Sequence, residues 1–396
     1  MGYLDDMANK RQRQVQHKWH VNYVKHLSRC GISDLSIIVG AGDFERSQPV
    51  MDVIRTSPRP SLVIYEGDAM ETQLYGYAAE GGCELINKAN RNLLPFYGLN
   101  AAETAQLLQK MAEQSGVNDV GRVNKIAAEY VRALSGINKL NYGNLRMLMS
   151  MNNEKLKATL ERMRPHDWKR SYESIKDDEG AGFDSFERRL CAAFDLLGTS
   201  GSGIGITECL RMGKSVAINA GDTHDKAMLY CYLDYILELL ELRGINIQLV
   251  MADTSCSQTG YSEHMLKPSS KRKLLISAFN PNVDDARSDS KNAELLKNVR
   301  QVLILHGLNA EAAKQYAALF GSYEFQRTHT VSGSSRRNFT LFEGSSSTGV
   351  HTSYEMRQKV SEDNISGLGS RAAILADFKL QLVIETDSLV TGGKVK

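Results

Sequence analysis

Residues 34–47 read Asp34-Leu35-Ser36-Ile37-Ile38-Val39-Gly40-Ala41-Gly42-Asp43-Phe44-Glu45-Arg46-Ser47. A short apolar run that stops at a glycine suits a strand buried on both faces, as in a parallel sheet. A glycine-rich turn follows, and 49–54 can continue as a helix. Residues 61–65 form a second apolar run and 83–86 a third. Strand, turn, helix and strand in that order predict an α/β fold with a parallel sheet.

Working outward, 101–195 changes character. The Ala-, Leu-, Met-, Glu- and Lys-rich stretches 101–114, 121–135, 142–162 and 183–197 predict an all-α lobe inserted into the α/β chain. The α/β pattern resumes with a strand at 215–219. A long helix follows over 224–243, capped by Asp222 or Thr223 and stopped by Gly244. Strands are expected at 247–251, 274–278 and 301–305, then a helix at 310–320. The region 328–349, rich in Ser, Thr, Gly and Arg, carries one or two strands at most, and 379–385 is a late strand candidate. The expected organisation is a basic helical segment at 1–33, an α/β body built from 34–99 and 196–325, the all-α insertion at 100–195, and a tail at 326–396.

Composition is that of an ordinary globular chain: 396 residues, 42% hydrophobic, 24% charged, formal net charge +2. This gives no reason to expect a general nucleic-acid or membrane binder. The opening segment around Lys10, Arg11 and Arg13, with Trp19 and Tyr23, can hold phosphates, though a solvated helix face explains it as well. Six cysteines at 30, 83, 191, 209, 231 and 256 form no CxxC pair, which argues against zinc and a disulfide framework. No apolar run is long enough to span a bilayer, and there is no signal-peptide core. The expectation is a cytoplasmic protein, peripheral at the inner membrane at most.

A phosphate loop needs a strand, glycines that let backbone N–H groups face the anion, then Lys and Ser/Thr at a helix start. Gly40, Gly42 and Ser47 stand at such places, and Ser47 offers the magnesium-binding hydroxyl. Glu45 replaces the glycine before the basic residue, and Arg46 replaces the lysine. A carboxylate at that mouth would repel a phosphate by on the order of 4 kcal/mol at about 4 Å and an effective dielectric of about 20. Met212-Gly213-Lys214-Ser215 mimics the end of such a loop but precedes a strand, and reads as a helix stop. The apolar run 247–251 leads into Ala252-Asp253-Thr254. Asp253 is a candidate magnesium ligand and catalytic carboxylate, but the acidic pair that would also orient water is incomplete. An ordinary glycine turn and a core strand with a capping Asp remain the alternatives.

In this order, the segments resemble the coupling-protein ATPases of type IV secretion and conjugation, a RecA-like P-loop family related to DNA pumps. The likeness rests on 36–54, on 60–66 with its acidic turn at Glu66, on 92–96 leading into the all-α lobe, on 213–253, on 273–280 and on 298–323. The Ser/Arg-rich segment 328–347 is similar to that family's tail. The resemblance implies ATP with magnesium, held by Gly40, Gly42, Arg46, Ser47 and Asp253, and assembly with ATPase-like subunits as a homo- or hetero-oligomer. Departures cluster at the chemistry: Glu45, Arg46, the incomplete pair at Asp253, and Phe279 or Asn280 where the family carries glutamine. The expectation is a degenerate member, a pseudo-ATPase serving as a binding or assembly component of a secretion, conjugation or DNA-processing complex. Two alternatives stay open: an active NTP-driven translocase of DNA or protein, with nucleic acid favoured by the basic N-terminus and Arg336-Arg337, and a structural oligomer that uses no cofactor.

Overall fold

The structure is a computed structural model that describes residues 35–176, 182–194, 203, 205–252, 264–278, 298–320, 322–334, 346–358, 360–370, 372–378 and 382–386. The basic segment 1–33, Asp253, Phe279, Asn280 and Arg336-Arg337 lie outside the described residues.

Eleven strands are described: β1 (Leu35–Val39), β2 (Ser61–Tyr65), β3 (Cys83–Ile86), β4 (Ser215–Asn219), β5 (Ile247–Ala252), β6 (Arg272–Ala278), β7 (Val299–Leu305), β8 (Ser322–Ser334), β9 (Ser346–Gln358), β10 (Ala373–Asp377) and β11 (Leu382–Thr386). Nine of them form one sheet in the order β11-β10-β7-β1-β6-β5-β2-β4-β3. From β7 to β3 every pairing is parallel, while β10 runs antiparallel to both β7 and β11. The expected α/β parallel sheet is present. The strands at 215–219 and 83–86 have the expected bounds, and β10 is an addition that the short run Ala373-Ile374-Leu375-Ala376 did not announce. The chain turns outward in opposite directions from β1, to β2 on one side and from β6 to β7 on the other. That reversal puts a crevice at the carboxyl end of β1.

Alternation along the strands sends side chains to two buried faces. Ile38, Val63, Val250, Leu275 and Leu303 meet helices α1 (Asp43–Thr56) and α2 (Asp68–Ala79) through Val50, Val53, Met70 and Leu74. Ile37, Leu62, Ile64, Leu249 and Ile276 belong to the larger core on the other face, which runs without a break into the helical lobe. The lobe comprises α3 (Ala101–Ser115), α4 (Val120–Ser135), α5 (Tyr142–Met149), α6 (Asn153–Met163), α7 (Trp168–Lys176) and α8 (Phe183–Phe194). A short α9 (Ile206–Arg211) returns the chain to β4.

Within the helical stretch 142–162 the chain makes two helices, because the Asn152 side chain accepts the Lys155 N–H and starts a new helix after Ser150. One expectation needs correction. The long helix α10 (Lys226–Leu242) is capped by Asp225, not by Asp222 or Thr223. Asp222 closes a 3-10 turn instead and accepts the Lys88 N–H at 3.0 Å.

Helix α10 lies between sheet and lobe, with ten of its residues buried from Met228 to Leu240. Its N-cap Asp225 is clamped by Arg189 of α8 at 2.7 Å. Arg243, just past its end, holds Glu103 of α3 at 2.8 Å. Helix α11 (Ala310–Phe320) and α12 (Glu362–Ser366) complete the helices among the described residues. The tail region 328–349 was expected to hold one or two strands. The two found are long: β8 and β9 pair over thirteen registers as an antiparallel ribbon outside the main sheet.

Among the described residues no helix is long and apolar enough to cross a membrane. The described cysteines are free; Cys83 and Cys209 are buried, and burial pushes their thiols up to about 12 and about 11 respectively.

Candidate functional site

The turn after β1 sits at the carboxyl edge of the parallel sheet, between β6 and β7. Strand β5, which leads to Asp253, is separated from β1 by β6. Gly40 leaves β1 with φ +83°, and a Cβ there would lie 2.4 Å from the Leu305 carbonyl oxygen. Only glycine fits so close to the end of β7. Ala41 follows with φ +53°, a left-handed conformation unusual for a residue with a side chain. Its N–H donates to the His306 carbonyl at 2.5 Å.

Helix α1 begins at Asp43, directly after Gly42. The sequence suggested a helix near Pro49, after the full length of a phosphate loop. The observed helix starts early enough to absorb Asp43, Phe44 and Glu45 into its first turn, which shortens the loop. The Arg46 N–H donates to the Gly42 carbonyl at 3.0 Å as the first helical bond. Pro49 stands inside the helix, where it has no N–H for the Glu45 carbonyl.

Arg46 is 1% exposed. Its guanidinium donates to the Ala41 carbonyl at 2.7 Å, to the Gly40 carbonyl at 3.3 Å and to Asp43 Oδ1 at 2.5 Å. The Ser47 hydroxyl donates to the Phe44 carbonyl at 2.7 Å. Glu45 turns back: its carboxylate accepts the Gly42 N–H at 3.4 Å and lies 2.9 Å from His306 Nε2. A phosphate cradle turns N–H groups toward an anion. Here two loop carbonyls converge on a cation that the chain itself supplies.

Further along the same edge, the structure assembles a polar group that belongs to none of the sequence motifs. Glu71 of α2 accepts from Asn87 Nδ2 at 2.5 Å and from Asn219 Nδ2 at 2.7 Å, joining the ends of β3 and β4. Glu66, directly after β2, pairs with Lys226 Nζ at 2.7 Å and accepts from the Tyr230 hydroxyl at 3.4 Å. The Glu66 N–H donates to the Ala252 carbonyl at 3.2 Å, at the end of β5. Tyr65 beside it is buried, its hydroxyl has no hydrogen-bond partner among the described residues, and burial lifts its pKa well above the phenol range. Of these residues only Glu66 falls in a stretch that carries the family resemblance as an acidic turn. The available signal was positional: Glu66, Asn87 and Asn219 are each the polar residue at the end of an apolar run, and parallel strands bring such ends to one edge.

No family model matches the sequence, and no curated protein is significantly similar to it. Solved structures do resemble it, and they share its class of fold: an α/β chain with a largely parallel sheet and a helical lobe. The particular likeness is to conjugative coupling proteins. The bacterial conjugative coupling protein TrwBdeltaN70, unbound, matches with a TM-score of 0.56 and 11% identity, covering 93% of this chain and 91% of that one. Plasmid coupling protein TrwB in complex with ADP and Mg2+ matches with a TM-score of 0.53 and 12% identity, over 91% and 86% of the two chains. The same protein with the non-hydrolysable ATP analogue ADPNP gives 0.53 and 11%, over 90% and 85%. At these identities the likeness is one of fold, and the chemistry must be argued from the residues of this chain.

Proposed function

We propose that the chain is a coupling-protein-like subunit of a type IV secretion or conjugation machine that binds and assembles with ATPase-like subunits and hydrolyses little or no ATP itself. One observation carries the reading: the Arg46 guanidinium occupies the place of the anion, bonded to the Gly40 and Ala41 carbonyls and to Asp43. A nucleotide phosphate arriving at this turn meets carbonyl oxygens, the carboxylate of Asp43 and the carboxylate of Glu45. Binding would require Arg46 to leave its buried position and the first turn of α1 to unwind. Magnesium, if it came with nucleotide, would take Ser47 and Asp253 as ligands, and Ser47 would first have to release the Phe44 carbonyl.

Binding of a fluorescent ATP analogue, with and without magnesium, tests this directly. The wild type is expected to bind weakly or not at all, and Glu45→Gly/Arg46→Lys to gain affinity at least tenfold. Motor-like ATP turnover by the wild type, abolished by Arg46→Ala, would overturn the proposal in favour of an active translocase. Fold likeness to nucleotide-bound coupling proteins is the support for that second reading.

A further inference from the structure

Asp234 and Glu238 stand one turn apart on α10 and share a face of that helix. His264, in the segment ahead of β6, meets this face: one donor atom from each of the three side chains lies within 4.8 Å of the others. His264 Nδ1 is 2.8 Å from Asp234 Oδ1. Two carboxylates and an imidazole closing on one point suit a borderline divalent ion, zinc above all. Magnesium and calcium take oxygen ligands instead. At bonds of about 2.1 Å, tetrahedral ligands stand roughly 3.4 Å apart, so these half-buried side chains need shift by only about 1 Å.

Three surroundings distinguish this group from acidic residues scattered on a surface. The imidazole is held from behind. Arg272 of β6 is fully buried and donates through Nη2 to the carbonyls of His264 at 2.5 Å and Lys267 at 2.8 Å, while Met265 and Leu266 join the core. The backbone carrying His264 is therefore fixed before any ligand arrives. The ring also has an outer partner. Glu241 lies 3.7 Å from Nε2, placed to hold a proton on that nitrogen and leave Nδ1 for a metal, as carboxylates behind metal-bound histidines do. The third is an unmet donor. Among the described residues Arg272 Nε has no hydrogen-bond partner, and Nη1 has only the ion pair with Glu241 at 3.4 Å. The charges acting on this guanidinium are Glu241 and Asp234. A buried donor calls for an acceptor. A zinc ion with three protein ligands keeps a further position for water or hydroxide, whose oxygen is one.

We propose that Asp234, Glu238 and His264 form a site for a zinc-type divalent ion, which staples the segment ahead of β6 to α10. One neighbour opposes the ion: Lys110 Nζ of α3 holds Glu238 at 2.5 Å. That lysine is more than a third exposed, so it can swing into water and release the carboxylate at small cost. In the metal-free chain the hydrogen bond between His264 and Asp234 stands where the metal bonds would form. The site uses no residue of the turn after β1, so it stands apart from the nucleotide question.

The test is titration of the untagged, chelator-treated full chain with zinc, and with cobalt as a coloured substitute, by calorimetry and visible absorption. One ion per chain is expected, with cobalt giving the absorption bands of a site holding nitrogen and oxygen ligands. Glu238→Gln and His264→Gln should each weaken binding about tenfold or more. Lys110→Ala should tighten it by about threefold or more, because it frees Glu238 from a competing cation. This variant changes only a half-exposed side chain, so it keeps the test sharp if a ligand variant fails to fold. Hydrogen exchange supplies the second readout: zinc should slow the amides of 264–272 in the wild type and leave them unchanged in His264→Gln. Absence of zinc binding at about millimolar ion, binding that survives both ligand variants, binding that Lys110→Ala fails to tighten, or exchange at 264–272 indifferent to zinc would each overturn the proposal.

Discussion

The Arg46 guanidinium lies 2.7 Å from the carbonyl oxygen of Ala41, a residue whose own backbone is held at φ +53°. The two features belong together. The left-handed turn at Ala41 aims its carbonyl beneath the loop, and a buried cation rewards that aim. Arg46→Ala leaves the Gly40 and Ala41 carbonyls without that donor in a place water reaches poorly. A loss of about 2–3 kcal/mol is expected in urea unfolding, with Arg46→Lys recovering part of it.

Strain at position 41 makes an opposite prediction. Ala41→Gly removes the cost of a left-handed alanine, so stability should rise by about 0.5–1 kcal/mol. Gly40→Ala should fall by about 2–4 kcal/mol, because its Cβ would press on the Leu305 and His306 carbonyls. Chemical denaturation of both variants checks the pair.

Pro49 in the middle of α1 removes one helical hydrogen bond and crowds the turn before it. Pro49→Ala is expected to stabilise the protein by about 1–3 kcal/mol. It should also slow exchange of the amides of 43–48, the turn that would have to unwind to admit a phosphate. Unchanged exchange there would separate the proline from the opening of the loop.

His264 carries a pH dependence. Its Nδ1 is 2.8 Å from Asp234 Oδ1, and that hydrogen bond raises its pKa; Asp234 and Glu241 add attraction, while burial and Arg272 oppose it. Glu241 lies 3.7 Å from Nε2, and Glu238 of the same helix stands close by. A raised folded pKa means the protonated ring stabilises the fold fully below the unfolded value near 6.5. The benefit disappears as pH climbs through the raised folded value. The stability difference between wild type and His264→Gln should therefore be larger at about pH 5.5 than at about pH 8.5. An equal difference at both would remove His264 as its source.

The sequence made the sheet legible wherever a strand is a closed apolar run. Leu35–Val39 and Ser215–Asn219 are such runs, and the stripe from Met228 to Leu240 announced α10 because it recurs at helical spacing. β10 escaped because Ala373–Asp377 is mostly Ala and Leu with one β-branched residue, a composition that suits a helix as well, and its partner β7 is distant in the chain. At the candidate site, residue identities were readable and directions were not. Arginine at 46 keeps the positive charge of a phosphate-loop lysine, so spacing alone suggests it faces outward to an anion. Where it points depends on where α1 begins, and glycine spacing does not decide that. The Glu71–Asn87–Asn219 group was hidden for another reason: its members are far apart in sequence and meet only through the strand order β2-β4-β3.

Helix α10 has a mechanical consequence. Its first turns grip Glu66 at the sheet edge through Lys226 and Tyr230, its N-cap is tethered to Arg189, and the residue after its end is tethered to Glu103. A rod seated in packed surroundings and pinned at both extremities offers no hinge. Any torque on the helical lobe is delivered to the edge of the sheet with little slack, so the lobe can act as a lever on that edge.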